Sequence, residues 1–204
     1  MKTHITFVID RSGSMAPVAT ELSDGFNKLI DEQKKNPDPC TVSMYEFSSK
    51  VVRRSHFAPL SFVEPYKILP NGNTAMCDAI CDAVDQTGLF LSCVQESERP
   101  SKVLVVVITD GYENASTRFG YEDVRSRVKH QQEKYSWEFL FLGADQNAVL
   151  NAKNYGMEGT AVLYGSRDTE AVLGTVLSNT VSATRGGSAL DANSIQQHVN
   201  AVSQ

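Results

Sequence analysis

Cysteine, basic clusters and long apolar runs are all scarce in this sequence of 204 residues. The four cysteines include no Cys-x-x-Cys pair, and no histidine stands at zinc-site spacing from them, so neither a zinc finger nor a disulfide-stapled fold is indicated. Cys77 and Cys81 lie four residues apart on one face of a predicted helix. That spacing fits a metal or redox pair, but it fits two small buried apolar residues better.

No block of lysine and arginine occurs, and the formal net charge is -5. This balance argues against non-specific binding to nucleic acid or to an anionic membrane surface. No apolar stretch approaches the length of a membrane span, and the N-terminal residues lack the basic and apolar regions of a signal peptide. We therefore expect a cytoplasmic protein whose partners are neither nucleic acids nor membranes.

The composition is that of an ordinary folded domain, with 41% hydrophobic and 21% charged residues. A chain of this length can form one α/β domain with a complete core. We expect that domain to cover residues 1–186, because Gly186-Gly187-Ser188 ends the last periodic segment. The polar residues 187–204 are expected to be a loosely ordered tail.

Strand-like and helix-like segments alternate along the chain, which predicts a mostly parallel sheet with helices on both faces. Only three residues separate Thr41–Phe47 from Val51–Phe57, so the second of these should be an antiparallel edge strand. The fold class is therefore α/β and doubly wound, with about six strands. The other predicted strands are Thr3–Ile9, Val103–Ile108, Trp137–Leu142 and Ala161–Tyr164. The predicted helices are Val18–Lys35, one capped by Asn73 or Thr74 that ends near Val94, Tyr121–Tyr135, Asp145–Tyr155 and Asp168–Thr184.

Oxygen-bearing side chains stand in three segments next to these elements. Asp10, Ser12 and Ser14 follow the first strand in Asp-Arg-Ser-Gly-Ser, Thr74 ends Gly-Asn-Thr, and Asp110 follows the central strand in Thr-Asp-Gly. All are hard donors, which suit Mg²⁺ or Mn²⁺ rather than a soft metal. Ligands of open α/β sheets bind beyond the carboxyl ends of the strands, so the pattern predicts a metal site with an open coordination position.

Each segment has a simpler interpretation when it is taken alone. Ser12-Gly13-Ser14 could cap the following helix, and Asp110-Gly111 could be a turn. Their joint occurrence favours the metal site.

Together, the three motifs resemble the metal-ion-dependent adhesion site of the von Willebrand factor type A (vWA) domain, and the resemblance covers nearly the whole chain. It implies a Rossmann-like fold that binds Mg²⁺, with Mn²⁺ or Ca²⁺ as alternatives. It also implies that Ser12 and Ser14 bind the metal directly, and that Asp10 does so directly or through water. Thr74 would join the ligands when the site is competent for a partner, and a water would bridge Asp110 to the metal.

The resemblance implies a metal-dependent protein-binding module or adaptor that docks a partner through the partner's Asp or Glu. The segment Gly143–Ala148, following Trp137–Leu142, is similar to small single-domain bacterial and phage members. Arg11, Met15, Tyr112 and Glu113 flank the motifs, and they either line the rim and select partners or are ordinary loop surface.

Two other functions remain open. The chain could be a structural or assembly subunit of a larger complex, such as an AAA-type ATPase, a stress-response cluster or a phage particle, that binds without metal. A metal-dependent hydrolase is less favoured, since phosphatase chemistry wants a second carboxylate two residues after Asp10, where Ser12 stands. We expect no enzymatic activity.

Overall fold

A computed structural model describes residues 1–144, 146–164 and 169–202. Within this part of the chain, one sheet contains the strands β1 (Thr3–Asp10), β2 (Cys40–Phe47), β3 (Val51–Pro59), β4 (Lys102–Thr109), β5 (Glu138–Gly143) and β6 (Ala161–Leu163). Their spatial order is β3-β2-β1-β4-β5-β6. Only β2 and β3 pair antiparallel, and the other neighbours are parallel. The expected doubly wound fold with an antiparallel edge strand is confirmed.

Helices cover both faces of this sheet. The longer ones are α1 (Ala19–Lys34), α2 (Met76–Cys93) and α3 (Tyr121–Tyr135), and the short α4 (Gln146–Asn151) follows β5. A helical path runs from α5 (Thr169–Ala171) through a π-helical segment (Val172–Leu177) into α6 (Ser178–Arg185), and α7 (Ala192–Val202) comes last. In the described residues, no helix is long and apolar enough to cross a membrane.

The sheet separates two apolar cores. Phe7 of β1 faces the core formed with α1 and the C-terminal helices, and its neighbour Val8 faces the core formed with α2 and α3. Because successive side chains of a strand point to opposite faces, a central strand of such a sheet is buried at nearly every position. In β4, every residue from Val103 to Ile108 is apolar and buried. In β1, all eight residues are buried, and the polar side chains of His4 and Thr6 hydrogen-bond to each other.

The C-terminal residues differ from the expectation of a loosely ordered tail. They form α7, whose Ile195 and Val199 are 6% and 3% exposed and belong to the core on the α1 face. Two apolar residues four positions apart make one helical stripe, which is short enough to be overlooked in a polar segment.

Two details of the predicted helices also change. A 3₁₀ segment, Gly13–Val18, precedes α1, so the α-helix begins later than expected. Neither Asn73 nor Thr74 caps α2: the capping position is Ala75, without a side-chain cap. Asp145 and Asp168, which were predicted to begin helices, lie outside the described residues.

Candidate metal site

The three motif loops meet beyond the carboxyl ends of β1 and β4. These neighbouring strands pair in register up to Ile9 and Ile108, which places Asp10 next to Thr109. From β1 the chain continues to β2 on one side, and from β4 it continues to β5 on the other side. The gap between the two strands is thus the topological switch point, where open α/β sheets form a crevice for ligands.

Asp10 is the most buried of the candidate ligands, with no exposed surface. Its Oδ1 accepts a hydrogen bond from the Ser12 amide at 2.7 Å, and its Oδ2 accepts one from the Thr109 hydroxyl at 2.6 Å. Burial raises the pKa of Asp10 from 3.8 to about 6, although the hydrogen bonds from Thr109 and Ser12 oppose the shift. A buried carboxylate with a raised pKa is one that an adjacent cation would stabilise.

A chain of hydroxyl and carboxylate oxygens extends from this point. Ser12 Oγ and Ser14 Oγ are 3.0 Å apart, and the Ser14 hydroxyl donates to Asp110 Oδ1 at 2.8 Å. Neighbouring ligands of an octahedral Mg²⁺ with bonds of about 2.1 Å would lie roughly 3 Å apart. The 3.0 Å between the two serine hydroxyls therefore fits adjacent corners of such a site, and Asp110 lies one hydrogen bond further out.

Gly111 shows where the three loops converge. A Cβ atom built on this glycine would lie 3.6 Å from Ser14 Oγ, 3.6 Å from Thr74 Oγ1 and 3.9 Å from Asp10 Oδ2. One oxygen from each of the first two motifs, together with the Asp10 carboxylate, thus borders the same small space. The absence of a side chain at Gly111 leaves that space free.

The structure brings together all five of the predicted ligands, Asp10, Ser12, Ser14, Thr74 and Asp110. Two carboxylates and three hydroxyls fit a hard divalent cation. In the described part of the chain, no group of three or more His, Cys, Asp or Glu side chains could hold a metal ion. A cation in this site would therefore depend on the hydroxyl ligands.

No protein-family model matches the sequence, and no curated protein matches it. Solved structures do match. A von Willebrand factor type A protein from Catenulispora acidiphila superposes with a TM-score of 0.66 at 14% identity, covering 91% of this chain and 43% of that one. Proximal thread matrix protein 1 of the mussel byssus gives 0.62 at 13% identity, covering 89% and 48%. A structure of the same mussel protein with a zinc-occupied metal-ion-dependent adhesion site gives 0.53 at 20% identity, covering 85% and 45%.

This chain has the vWA fold. It spans less than half the length of each of these three proteins.

The first two loops of this vWA fold are tied together by main-chain hydrogen bonds. The Gly13 amide donates to the Gly72 carbonyl at 2.9 Å, and the Asn71 amide donates to the Arg11 carbonyl at 2.8 Å. Gly72 has a φ of 72°, and a Cβ there would lie 2.7 Å from Ser49 Oγ. The positive φ favours glycine at this position, and a Cβ there would displace the Ser49 hydroxyl, which accepts a hydrogen bond from the Asn73 amide.

The four flanking residues considered as rim candidates take different positions. Tyr112 is 51% exposed beside the site, whereas Met15 is fully buried in the core. The Arg11 guanidinium is largely buried, donating to Asn71 Oδ1 at 2.9 Å and lying 3.5 Å from Glu46 Oε2.

Glu113 turns inward, where its carboxylate accepts four hydrogen bonds. Neither these hydrogen bonds of Glu113 nor the hydrogen bond between the Thr74 amide and Asn114 was predicted from the sequence. No local pattern signals the contact of Glu113 with the Cys77 amide or that of Asn114 with the Thr74 amide, because these partners lie 36 and 40 residues away.

Proposed function

We propose that this chain is a metal-dependent protein-binding module. Asp10, Ser12, Ser14, Thr74 and Asp110 would hold Mg²⁺, with Mn²⁺ or Ca²⁺ as alternatives. The observation that carries the proposal is the convergence of oxygens from Ser14, Thr74 and Asp10 around the space beside Gly111. The zinc-occupied adhesion site of the mussel protein, which has the same fold, supports a divalent cation in general.

The composition of the site also supports binding of a partner. Mg²⁺ prefers octahedral oxygen coordination and keeps several waters. If Asp110 stays behind a water, the charge of the ion is only partly neutralised by Asp10. The ion then gains from a further anionic ligand, which an Asp or Glu side chain of a partner protein supplies.

Binding is favoured over catalysis by the residues beside Asp10. Its carboxylate is already engaged by the Ser12 amide and the Thr109 hydroxyl, and no second carboxylate stands at position 12 to act as a general acid. We therefore propose no enzymatic role. An assay with a general phosphatase substrate and Mg²⁺ tests this, and turnover that is lost in Asp10→Ala would contradict it.

An affinity co-purification from the native source tests the binding function. The baits are the wild-type chain, Asp10→Ala and Asp24→Ala, each in Mg²⁺ and in EDTA. Asp24 is an exposed carboxylate on α1 and serves as the matched control. We expect a partner that wild type and Asp24→Ala retain in Mg²⁺, and that is lost in EDTA or with Asp10→Ala.

A partner retained by every bait, and in EDTA, would contradict the metal-dependent function. It would favour the alternative of a structural or assembly subunit whose interface lies elsewhere.

A further inference from the structure

Glu113, in the third loop of the candidate site, has no role in the proposed metal coordination. We propose that Glu113 is a positioning residue that fastens the third loop to the N-terminus of α2 and thereby holds Thr74 beside the metal. This inference rests on the proposed function, because Thr74 matters only if the site binds a cation.

The Glu113 carboxylate joins two separate segments of the chain. Its Oε1 accepts from the amides of Ala115 and Ser116 at 2.9 and 2.7 Å. Its Oε2 accepts from the Ser116 hydroxyl and from the Cys77 amide, both at 2.7 Å. Cys77 lies in the first turn of α2, where amides have no partner within the helix. A carboxylate from a distant loop therefore takes the place of a local capping residue.

A second carboxylate extends this connection along the same loop. The Asp78 amide donates to Ser116 Oγ at 3.0 Å, and the Asp78 carboxylate accepts from the amides of Thr117, Arg118 and Phe119 at 3.0 to 3.1 Å. The first turn of α2 and the third loop are thus joined by hydrogen bonds in both directions: carboxylate and hydroxyl groups of the loop accept from amides of α2, and the Asp78 carboxylate of α2 accepts from amides of the loop.

Thr74, two residues before α2, is hydrogen-bonded to Asn114 and Ala115, the two residues that follow Glu113. Its amide donates to Asn114 Oδ1 at 2.8 Å, and its carbonyl accepts from the Asn114 and Ala115 amides at 3.0 and 3.2 Å. Both backbone groups of Thr74 therefore depend on the loop that carries Asp110. The hydroxyl of Thr74 and the carboxylate of Asp110 are presented to the site by one connected unit.

This arrangement has a measurable consequence. Glu113→Gln replaces one acceptor oxygen by an amide group, which leaves an N–H donor of the loop or of α2 facing another donor. The hydrogen bonds that hold the Thr74 backbone weaken, and the Thr74 hydroxyl is no longer fixed beside Gly111. Residues that orient metal ligands in this way change metal affinity by about 10- to 100-fold when they are replaced.

The test is a double-mutant cycle with Mn²⁺ as the probe, read by titration calorimetry. We expect Glu113→Gln to weaken Mn²⁺ binding about tenfold in the wild-type background and less than about twofold in the Thr74→Ala background. Asp82→Asn is the matched control: it removes the Arg118 ion pair at 2.6 Å from the far end of the same loop, and it should change the affinity less than about twofold. Asn114→Ala, which keeps Glu113 but removes the acceptor for the Thr74 amide, should act in the same direction as Glu113→Gln.

A second readout needs no metal. Hydrogen exchange of the Thr74 amide, followed by NMR in EDTA, should become faster by about tenfold or more in Glu113→Gln, and should be unchanged in Asp82→Asn. Thermal unfolding of each variant shows whether it is folded. If Glu113→Gln does not fold, Glu113→Asp carries both measurements, because its shorter side chain keeps the charge and withdraws the carboxylate from the Cys77 amide.

The outcomes separate this inference from the proposed function. Unchanged Mn²⁺ affinity in Glu113→Gln, or an equal loss in both backgrounds, would overturn the positioning role. A wild-type chain that binds no Mn²⁺ would contradict the proposed function instead. In that event, hydrogen exchange of the Thr74 amide in Glu113→Gln still tests the positioning role of Glu113. Faster exchange than in wild type supports the inference, and unchanged exchange overturns it.

Discussion

The Asp10→Asn substitution should make the metal-free protein more stable at neutral pH. It should also abolish the stabilisation of the folded protein by Mg²⁺. The Asp10 carboxyl is fully buried, and burial raises its pKa from 3.8 to about 6. The folded state therefore binds its proton more tightly than the unfolded state does. Ionised Asp10 costs the metal-free fold about 3 kcal/mol of stability at pH 7, from roughly two pKa units at 1.36 kcal/mol each.

The pH dependence isolates this cost. At about pH 4 and below, Asp10 of the folded protein is protonated and little is lost, and the penalty grows as pH rises through the folded pKa of about 6. Hydrogen bonds that Asn makes differently with Ser12 and Thr109 do not vary with pH. The free energy of unfolding of Asp10→Asn relative to wild type should therefore rise by about 2 kcal/mol between about pH 4 and pH 7.

The assay is urea unfolding in EDTA over this pH range, repeated with saturating Mg²⁺ at pH 7. Mg²⁺ should stabilise wild type and leave Asp10→Asn unchanged, since a cation bound to the folded state alone stabilises it by mass action. A stability difference that stays constant with pH would refute the reasoning, because it would mean that Asp10 ionises with the same pKa in both states.

Three further substitutions test the site. Asp10→Ala and Ser12→Ala should abolish Mg²⁺ binding with an unchanged circular dichroism spectrum, and global unfolding of both would show that the loop is primarily structural. Thr74→Ala should weaken partner binding more than metal binding, so equal losses in parallel titrations would count against a role in partner engagement. Gly111→Ala places a Cβ 3.6 Å from Ser14 Oγ and Thr74 Oγ1. It should lower Mg²⁺ affinity by at least about tenfold, because Mg²⁺ demands near-ideal octahedral geometry, and wild-type affinity in this variant would place the metal elsewhere.

The strands were predictable from the sequence because burial on both faces leaves a distinct pattern. Val103–Ile108 is apolar throughout, and in the structure it lies within β4, which pairs with β1 and β5. The short turn after Phe47 correctly predicted the antiparallel edge strand, since three residues cannot make a parallel crossover. The candidate ligands were predictable for a related reason: they directly follow such strands, or stand in a loop between recognisable elements.

The features that the sequence did not predict depend on distant partners. Thr74 is a good helix-capping residue by type, yet Glu113 and Ser116 accept the first amides of α2 instead, across 36 and 38 residues. α7 was not predicted because two apolar residues, Ile195 and Val199, do not indicate a helix until the core that they cover is known. In both cases tertiary contacts override the local preference of the residues.

A titration of Mn²⁺ or Mg²⁺ into the purified chain tests the central claim most directly, with wild type, Asp10→Ala and Asp24→Ala measured side by side by calorimetry. The account predicts that wild type and Asp24→Ala each bind one ion with the same affinity, and that Asp10→Ala binds none. Binding by Asp10→Ala with wild-type affinity, or no binding by the wild-type chain, would contradict it.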